Sequence, residues 1–213
     1  MVGFKAIAAR KSKYCTRLMI STDSPEIQEE ARRYGVDVPF TRPAELATDT
    51  APSADVIMHA IVWLEEVAGE RYDAIMLLEP SSPFARYVDL DNAVGMMIQK
   101  DANLVVGVRE VEVSSALTGP LDQQGRITQI IDQIERRSAL GRQDAPREYT
   151  MNGALYLFRW SFFKEYKALY KDREKSYGYV MDRYYSVEID NMIDLQWAEF
   201  LASKGYVDMS YWR

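Results

Sequence analysis

A doubly wound, mainly parallel α/β sheet is the fold this sequence predicts, and three observations predict it. Segments 74–78 (Ala-Ile-Met-Leu-Leu) and 104–108 (Leu-Val-Val-Gly-Val) are short apolar runs without polar alternation, as strands covered on both faces read. Helix-spaced stretches separate the strand-like ones, so that strand followed by helix occurs three times. The first apolar run stops at Glu79-Pro80-Ser81-Ser82-Pro83, where two prolines forbid both ladder and helix. Polar groups therefore gather just past the strand's carboxyl end, the edge at which open α/β sheets bind ligands.

Composition sets the outer bounds. A length of 213 residues with 47% hydrophobic content suits a single domain over 1–213. Lys plus Arg number 26 against 32 Asp plus Glu, a net charge of −6 with no long basic run, which argues against a nucleic-acid partner. One cysteine, Cys15, and one histidine, His59, exclude a disulfide framework, a Cys/His zinc site and a histidine-based triad unless the two lone residues meet. Cys15 reads as a buried small hydrophobe and His59 as an ordinary helix residue. No apolar stretch approaches the roughly 18 residues of a membrane span, so a soluble cytoplasmic protein with no membrane partner is expected.

The elements follow in order. Residues 1–14 read as a helix with Val2, Ala6 and Ile7 inward, and 17–21 as a strand. Thr22-Asp23-Ser24-Pro25 opens a second helix that Gly35 ends, through a capping side chain, a first-turn proline and a terminal glycine. A short strand at 36–40 leads into loop 41–53, long enough to suggest function. A helix from Ala54 to about Ala68 precedes the central strand, and another at 89–99 precedes strand 104–108. From about 111 to 150 the rhythm breaks: a hairpin turn at 123–126 and an alternating run at 127–131 suggest an inserted arm. Strand 153–158, helix 161–170, strand 184–189 and helix 191–204 complete the reading.

Three places could carry chemistry. Glu188 and Asp190, two apart on the expected last strand, would share a face and could hold a hard divalent cation such as Mg²⁺ with phosphate oxygens; alternatively Asp190 caps the following helix. Stretch 142–154 offers Arg142, whose planar fork suits a carboxylate or phosphate, and Asn152-Gly153, where backbone can approach closely, unless it is only a solvated loop. Arg42 and Ser53 bracket the long loop and could contact a base or phosphate, or merely punctuate it.

Six motifs stand in one register: Ile-Ser-Thr-Asp at 20–23, Arg-Pro-Ala-Glu-Leu-Ala-Thr-Asp-Thr at 42–50, Leu-Leu-Glu-Pro-Ser-Ser-Pro-Phe at 77–84, Arg-Gln-Asp-Ala-Pro at 142–146, Asn-Gly-Ala-Leu-Tyr at 152–156 and Val-Glu-Ile-Asp at 187–190. In order and spacing the chain resembles the acylneuraminate cytidylyltransferases, the CMP-sialic acid synthetases. The resemblance implies a Rossmann-like sheet and Mg²⁺-dependent transfer of CMP from CTP to the anomeric hydroxyl of a sialic-acid-like nonulosonic acid, with release of pyrophosphate. It implies Glu188 and Asp190 as metal ligands and, with Arg142, as the catalytic set. Arg42, Ser53, Glu79, Gln143 and Asn152 become substrate-binding residues, the first two on cytosine and Asn152 at the sugar beside Arg142. Segment 112–150 becomes a dimerisation arm, and a homodimer is expected. Where the family has Gln, an Asp and often Arg, this sequence has Glu79, Glu188 and Thr150. The family's opening strand and its Pro-Ala-Arg-x-Gly-Ser-Lys phosphate loop would stand ahead of Met1, so the expectation is of a chain lacking them, with an impaired nucleotide-binding or dimerising scaffold as the alternative.

Overall fold

The computed structural model describes residues 1–138 and 146–213. Its order is α1 (Val2–Lys11), α2 (Pro25–Arg33), α3 (Ser53–Trp63), β1 (Ala74–Leu77), α4 (Tyr87–Lys100), β2 (Leu104–Glu110), α5 (Thr128–Ser138), β3 (Tyr149–Arg159), α6 (Trp160–Tyr166), β4 (Ser176–Val180) and α7 (Met192–Ser203). The α/β class holds. The strands lie in the order β1-β3-β2-β4, with β3 antiparallel to both neighbours and β2 parallel to β4, so three of the four strands share one direction.

Two apolar layers cover the sheet. On one side Ala8 and Ala9 of α1 and Leu90, Ala93 and Met97 of α4 pack with Val105, Leu155 and Leu157. Opposite, Ile57 and Ile61 of α3 and Phe163 of α6 pack with Leu104, Val106 and Phe158. Each fully buried aliphatic or aromatic side chain contributes about 1.5–3 kcal/mol, so both layers together hold the sheet between helices. The α3 helix ends in a π turn at Leu64–Ala68, with Gly69 taking the left-handed cap. Ser24 caps α2 by accepting from the Ile27 amide.

Several expectations need correction. Segments 17–21 and 36–40 do not form strands; their backbones pair in a single parallel bridge, Met19 to Asp37. Segment 184–189 is not a strand either. Asp182 accepts from the Tyr184 amide and winds a 3₁₀ turn at Arg183–Tyr185, which sends Tyr185 into a separate aromatic cluster with Phe84 and Trp212. The last strand is instead β4, Ser-Tyr-Gly-Tyr-Val. Cys15 is exposed rather than buried. His59 sits within α3 with its ring edge-on to Phe40 at 4.6 Å, an ordinary packing role. No helix among the described residues is long and apolar enough to cross a membrane.

Residues 128–131 of the alternating run belong to a helix. Ile127, Ile130, Ile131 and Ile134 fit helical spacing as well as alternation, and the chain takes the helix. The expected turn before it does form: Asp122 accepts from the Gln124 and Arg126 amides around Gly125 at φ +76°, but no strands flank it. Where this arm rejoins β3, the Glu148 carboxylate accepts from Ser115 N, Ser115 Oγ and the Arg137 guanidinium. These donors hold its pKa at about 2, below the ordinary 4.5. A carboxyl depressed in the folded state stabilises above its unfolded pKa and loses that contribution as pH falls. Arm anchoring is therefore full above about pH 4.5 and fades towards pH 2. Glu148→Gln is expected to raise amide exchange in α5 several-fold at pH 7, read by hydrogen exchange, with β2 and β3 unaffected.

Candidate active site

The reversed direction of β3 builds the site. Leu77 of β1 pairs with Tyr156 of β3, so the chain leaving β1 at Glu79 runs alongside the stretch entering β3 at Asn152, Gly153 and Ala154. Pro80 and Pro83 keep segment 79–83 out of any ladder. It folds as a turn, Ser82 N donating to Glu79 O at 3.1 Å, and the fully buried Ser82 Oγ donates to Asn152 O at 2.9 Å. Ile189 N donates to Ser81 O at 2.8 Å, which draws the 187–190 segment onto the same turn.

Gly153 lies at the convergence. Its φ of +62° is a left-handed conformation that side chains rarely adopt. A β-carbon there would strike Glu188 Oε1, with Glu79 Oε2 and Ser82 Oγ each at 3.1 Å. Two carboxylates from distant parts of the chain thus meet over a bare backbone. The effect falls on Glu79: burial first, then the Glu188 charge, raise its pKa, and Asp190 adds to the rise while Lys5 opposes it. Tyr156 is pushed up to about 12 by burial and by Glu79, and Tyr170 is raised for the same two reasons. The cluster is acidic, and Tyr156 and Tyr170 feel its charge.

Glu188 and Asp190 stand on an irregular segment, not on a shared strand face. The alternative role for Asp190 also falls: Asn191 caps α7 by accepting from Ile193 and Asp194 amides, and the Asp194 carboxylate accepts from the Asp190 and Asn191 amides in return. Asp190 is left exposed with its carboxylate uncommitted to any hydrogen bond or ion pair among the described residues, and so is Glu188. Among those residues no group of three or more His, Cys, Asp or Glu side chains is disposed to hold a metal alone. Two carboxylates that need oxygens from elsewhere are the donor set that suits Mg²⁺ with a phosphate-bearing ligand.

The remaining expected residues are placed as follows. Arg42 lies half-buried, its Nε donating to Ser21 Oγ at 3.1 Å and its Nη2 to Ser21 O, which fixes the guanidinium at the start of the long loop. Ser53 is exposed at the first position of α3, and its neighbour Ala54 packs in the same apolar cluster as Leu77 and Tyr156. Asn152 is fully buried: its amide donates to Ser186 Oγ at 2.9 Å while its Oδ1 accepts from Ala154 N at 3.2 Å. Its side chain therefore supports the floor of the site from beneath. Arg142 and Gln143 lie outside the described residues.

Sequence reasoning passed over Lys5, Gly153's special φ and the two tyrosines. Lys5 stands on the inner face of α1, only 5% exposed, and donates from Nζ to Ala154 O at 2.7 Å. A lysine among Gly3, Ala6, Ala8 and Ala9 on a buried face was the signal that could have found it.

Comparison with known proteins bears on this arrangement. A protein-family model described as cytidylyltransferase matches residues 1–204. The CMP-N,N'-diacetyllegionaminic acid synthase of Campylobacter jejuni is 29% identical over 95% of this chain and 84% of its own length. A protein of the same name from Legionella pneumophila is 26% identical over 93% of this chain and 82% of its own. Among solved structures, a CMP:2-keto-3-deoxy-manno-octonic acid synthetase complexed with CTP covers 95% of this chain and 88% of its own with a TM-score of 0.62 at 11% identity, a likeness of fold.

Proposed function

The chain belongs to the cytidylyltransferase family, and from that premise we propose that it transfers CMP from CTP to the anomeric hydroxyl of a sialic-acid-like nonulosonic acid, releasing pyrophosphate. The observation that carries the reading is the convergence of Glu79 and Glu188 over Gly153, with Asp190 close enough to disturb Glu79. The relatives named as CMP-legionaminic acid synthases support the nonulosonic class of acceptor.

In this reaction the acceptor hydroxyl oxygen forms a bond to the α-phosphorus and releases its proton to water as the bond to the pyrophosphate oxygen breaks. Such a transfer depends on positioning and charge neutralisation more than on a covalent intermediate. Glu188 and Asp190 would hold a divalent cation, which when bound neutralises triphosphate charge. Arg42, braced on Ser21, and Ser53 hold the cytosine end. Glu79 takes hydrogen bonds from sugar hydroxyls, Asn152 keeps the floor rigid, and Arg142 with Gln143 serve the sugar side. The test is pyrophosphate release from CTP and Mg²⁺ over a panel of nonulosonic acids; release that depends on one of them is expected. A folded protein that releases none with any of them overturns the reading in favour of a scaffold.

The family resemblance also leads us to a homodimer formed through segment 112–150. Leu117, Leu121 and Ile131 expose 55%, 62% and 46% of their surface on this arm, an apolar area that a second copy would cover. The double substitution Leu121→Glu, Ile131→Glu is expected to shift sedimentation from dimer to monomer. A wild type that sediments as a monomer at micromolar concentration would refute the dimer.

A further inference from the structure

The segment that carries Glu188 and Asp190 owes its place to contacts on its other side. Over 185–190 the side chains alternate in direction although no strand forms. Tyr185, Val187 and Ile189 pack in the aromatic cluster with Phe84 and Trp212, while Ser186 accepts from Asn152 and Glu188 lies over Gly153. Whatever fixes the inward-facing residues therefore sets where Glu188 stands, and Asp190 two residues on. The turn that leaves β1 does so at two points. Ser81 O accepts from Ile189 N at 2.8 Å, and the Arg86 guanidinium lies over the Tyr185 ring, 4.1 Å from its centre. Residues 81–86 thus run beside 185–189 in the opposite direction.

Arg86 is itself held. Its Nε and Nη2 each donate to the Asp89 carboxylate at 2.8 Å, and Tyr179 donates to the same group at 3.1 Å. The Asp89 side chain is 1% exposed and that of Arg86 21%. A buried carboxylate gripping two prongs of a planar guanidinium leaves it little freedom to turn, so it offers the tyrosine a fixed face. A cation over a ring in partly desolvated surroundings is a favourable contact. Tyr185 Oη in turn accepts from Asp208 N at 3.0 Å. Capping of α4 does not by itself call for an arginine, because Asp89 accepts from the Arg86 amide at 3.0 Å whatever side chain stands there.

We propose that Arg86 is a positioning residue: a guanidinium locked on Asp89 and laid on Tyr185, it sets the register of 185–190 and with it the spacing of Glu188 and Asp190 for a divalent cation. The cation rests on the proposed function; the clamp does not. Arg86 acts through Tyr185, not on the substrate.

The experiment replaces the ion pair together, Arg86→Gln with Asp89→Asn, so that no buried charge is left without its partner. Amide exchange is followed residue by residue at pH 7, well below the melting temperature. The Ile189 amide is expected to exchange about tenfold faster than in the wild type, with the interiors of α7 and β3 unchanged. An Ile189 amide as slow as in the wild type would refute the clamp. Equal acceleration in α7 and β3 would make Arg86 a general stabiliser, which also refutes it. Should the double variant not fold, Tyr185→Leu opens the clamp from its other side and is judged by the same outcomes. Manganese binding in the presence of CTP, read by electron paramagnetic resonance, is the second arm. The variant should bind about tenfold more weakly, the usual loss when a residue that orients metal ligands from behind is removed. Wild-type manganese affinity in a variant whose Ile189 exchanges fast would overturn the positioning role. A wild type that binds no manganese with CTP counts instead against the proposed function, and the exchange arm still decides for or against the clamp.

Discussion

Gly153→Ala is expected to abolish most activity and to lower Tm by about 2–8 °C. Forcing a side chain into the left-handed region costs roughly 1–2 kcal/mol, and about 2–4 °C of Tm accompanies each kcal/mol in a domain of this size. The strain alone would leave a folded protein. The larger effect is local, because the new methyl group would occupy the point where Glu188 Oε1, Glu79 Oε2 and Ser82 Oγ converge. Glu188 must move outward, and a displacement near 1 Å in a transfer site costs on the order of 100-fold in rate. Far-ultraviolet circular dichroism, thermal melting and pyrophosphate release on one preparation separate the two effects. Wild-type turnover in a destabilised protein would mean that Glu188 does not stand over Gly153 while the enzyme works.

The second large effect is expected from the carboxylate pair. Glu188→Gln and Asp190→Asn should each lower kcat/KM by about 10²–10³-fold, the usual loss when one preorganised charge-stabilising group is removed from a transfer site. Neither should change stability much, since both side chains are exposed and Asn191 and Asp194, not Asp190, cap α7. Manganese binding followed by electron paramagnetic resonance supplies a readout apart from turnover, and both variants should weaken it. Glu199→Gln, on the exposed flank of α7, serves as the control. If either variant turns over within a factor of three of the wild type, that residue is not a metal ligand in the working site.

How much of this was legible beforehand depended on whether a signal was local. The apolar runs at β1 and β2, and the helices beside them, declare themselves by period and are found where expected. Glu79 stood out at the polar end of the central strand and Glu188 with Asp190 by their spacing, and the six motifs then gave the family and a role for each. Tyr184 to Ile189 alternate as a strand should, yet a capping Asp182 and an aromatic pocket for Tyr185 outweigh that pattern. The true last strand was hidden by Gly178, which weakens a strand on propensity. Here a β-carbon would press on Val108, whose Cγ2 lies 3.0 Å from where it would be. Asn152 looked like a ligand contact by motif; that its side chain points into the core is a tertiary fact. Lys5 was invisible because its hydrogen-bond partner, Ala154 O, is remote in sequence and meets it only in the folded chain.

That reversal also bears on how the chain is made. The strand that joins β1 to β2 is synthesised after both: Ala74 finds its partner in Arg159, roughly 85 residues later, and Leu104 waits for Phe158. At translation speeds of about 5–20 residues per second, β1 spends some 4–17 s with neither edge paired. A bare apolar strand is an invitation to other chains, so in the nascent protein α3 and α4 must shield it. Recovery of folded protein should accordingly be more sensitive to changes in the apolar faces of those two helices than their share of the final core would suggest.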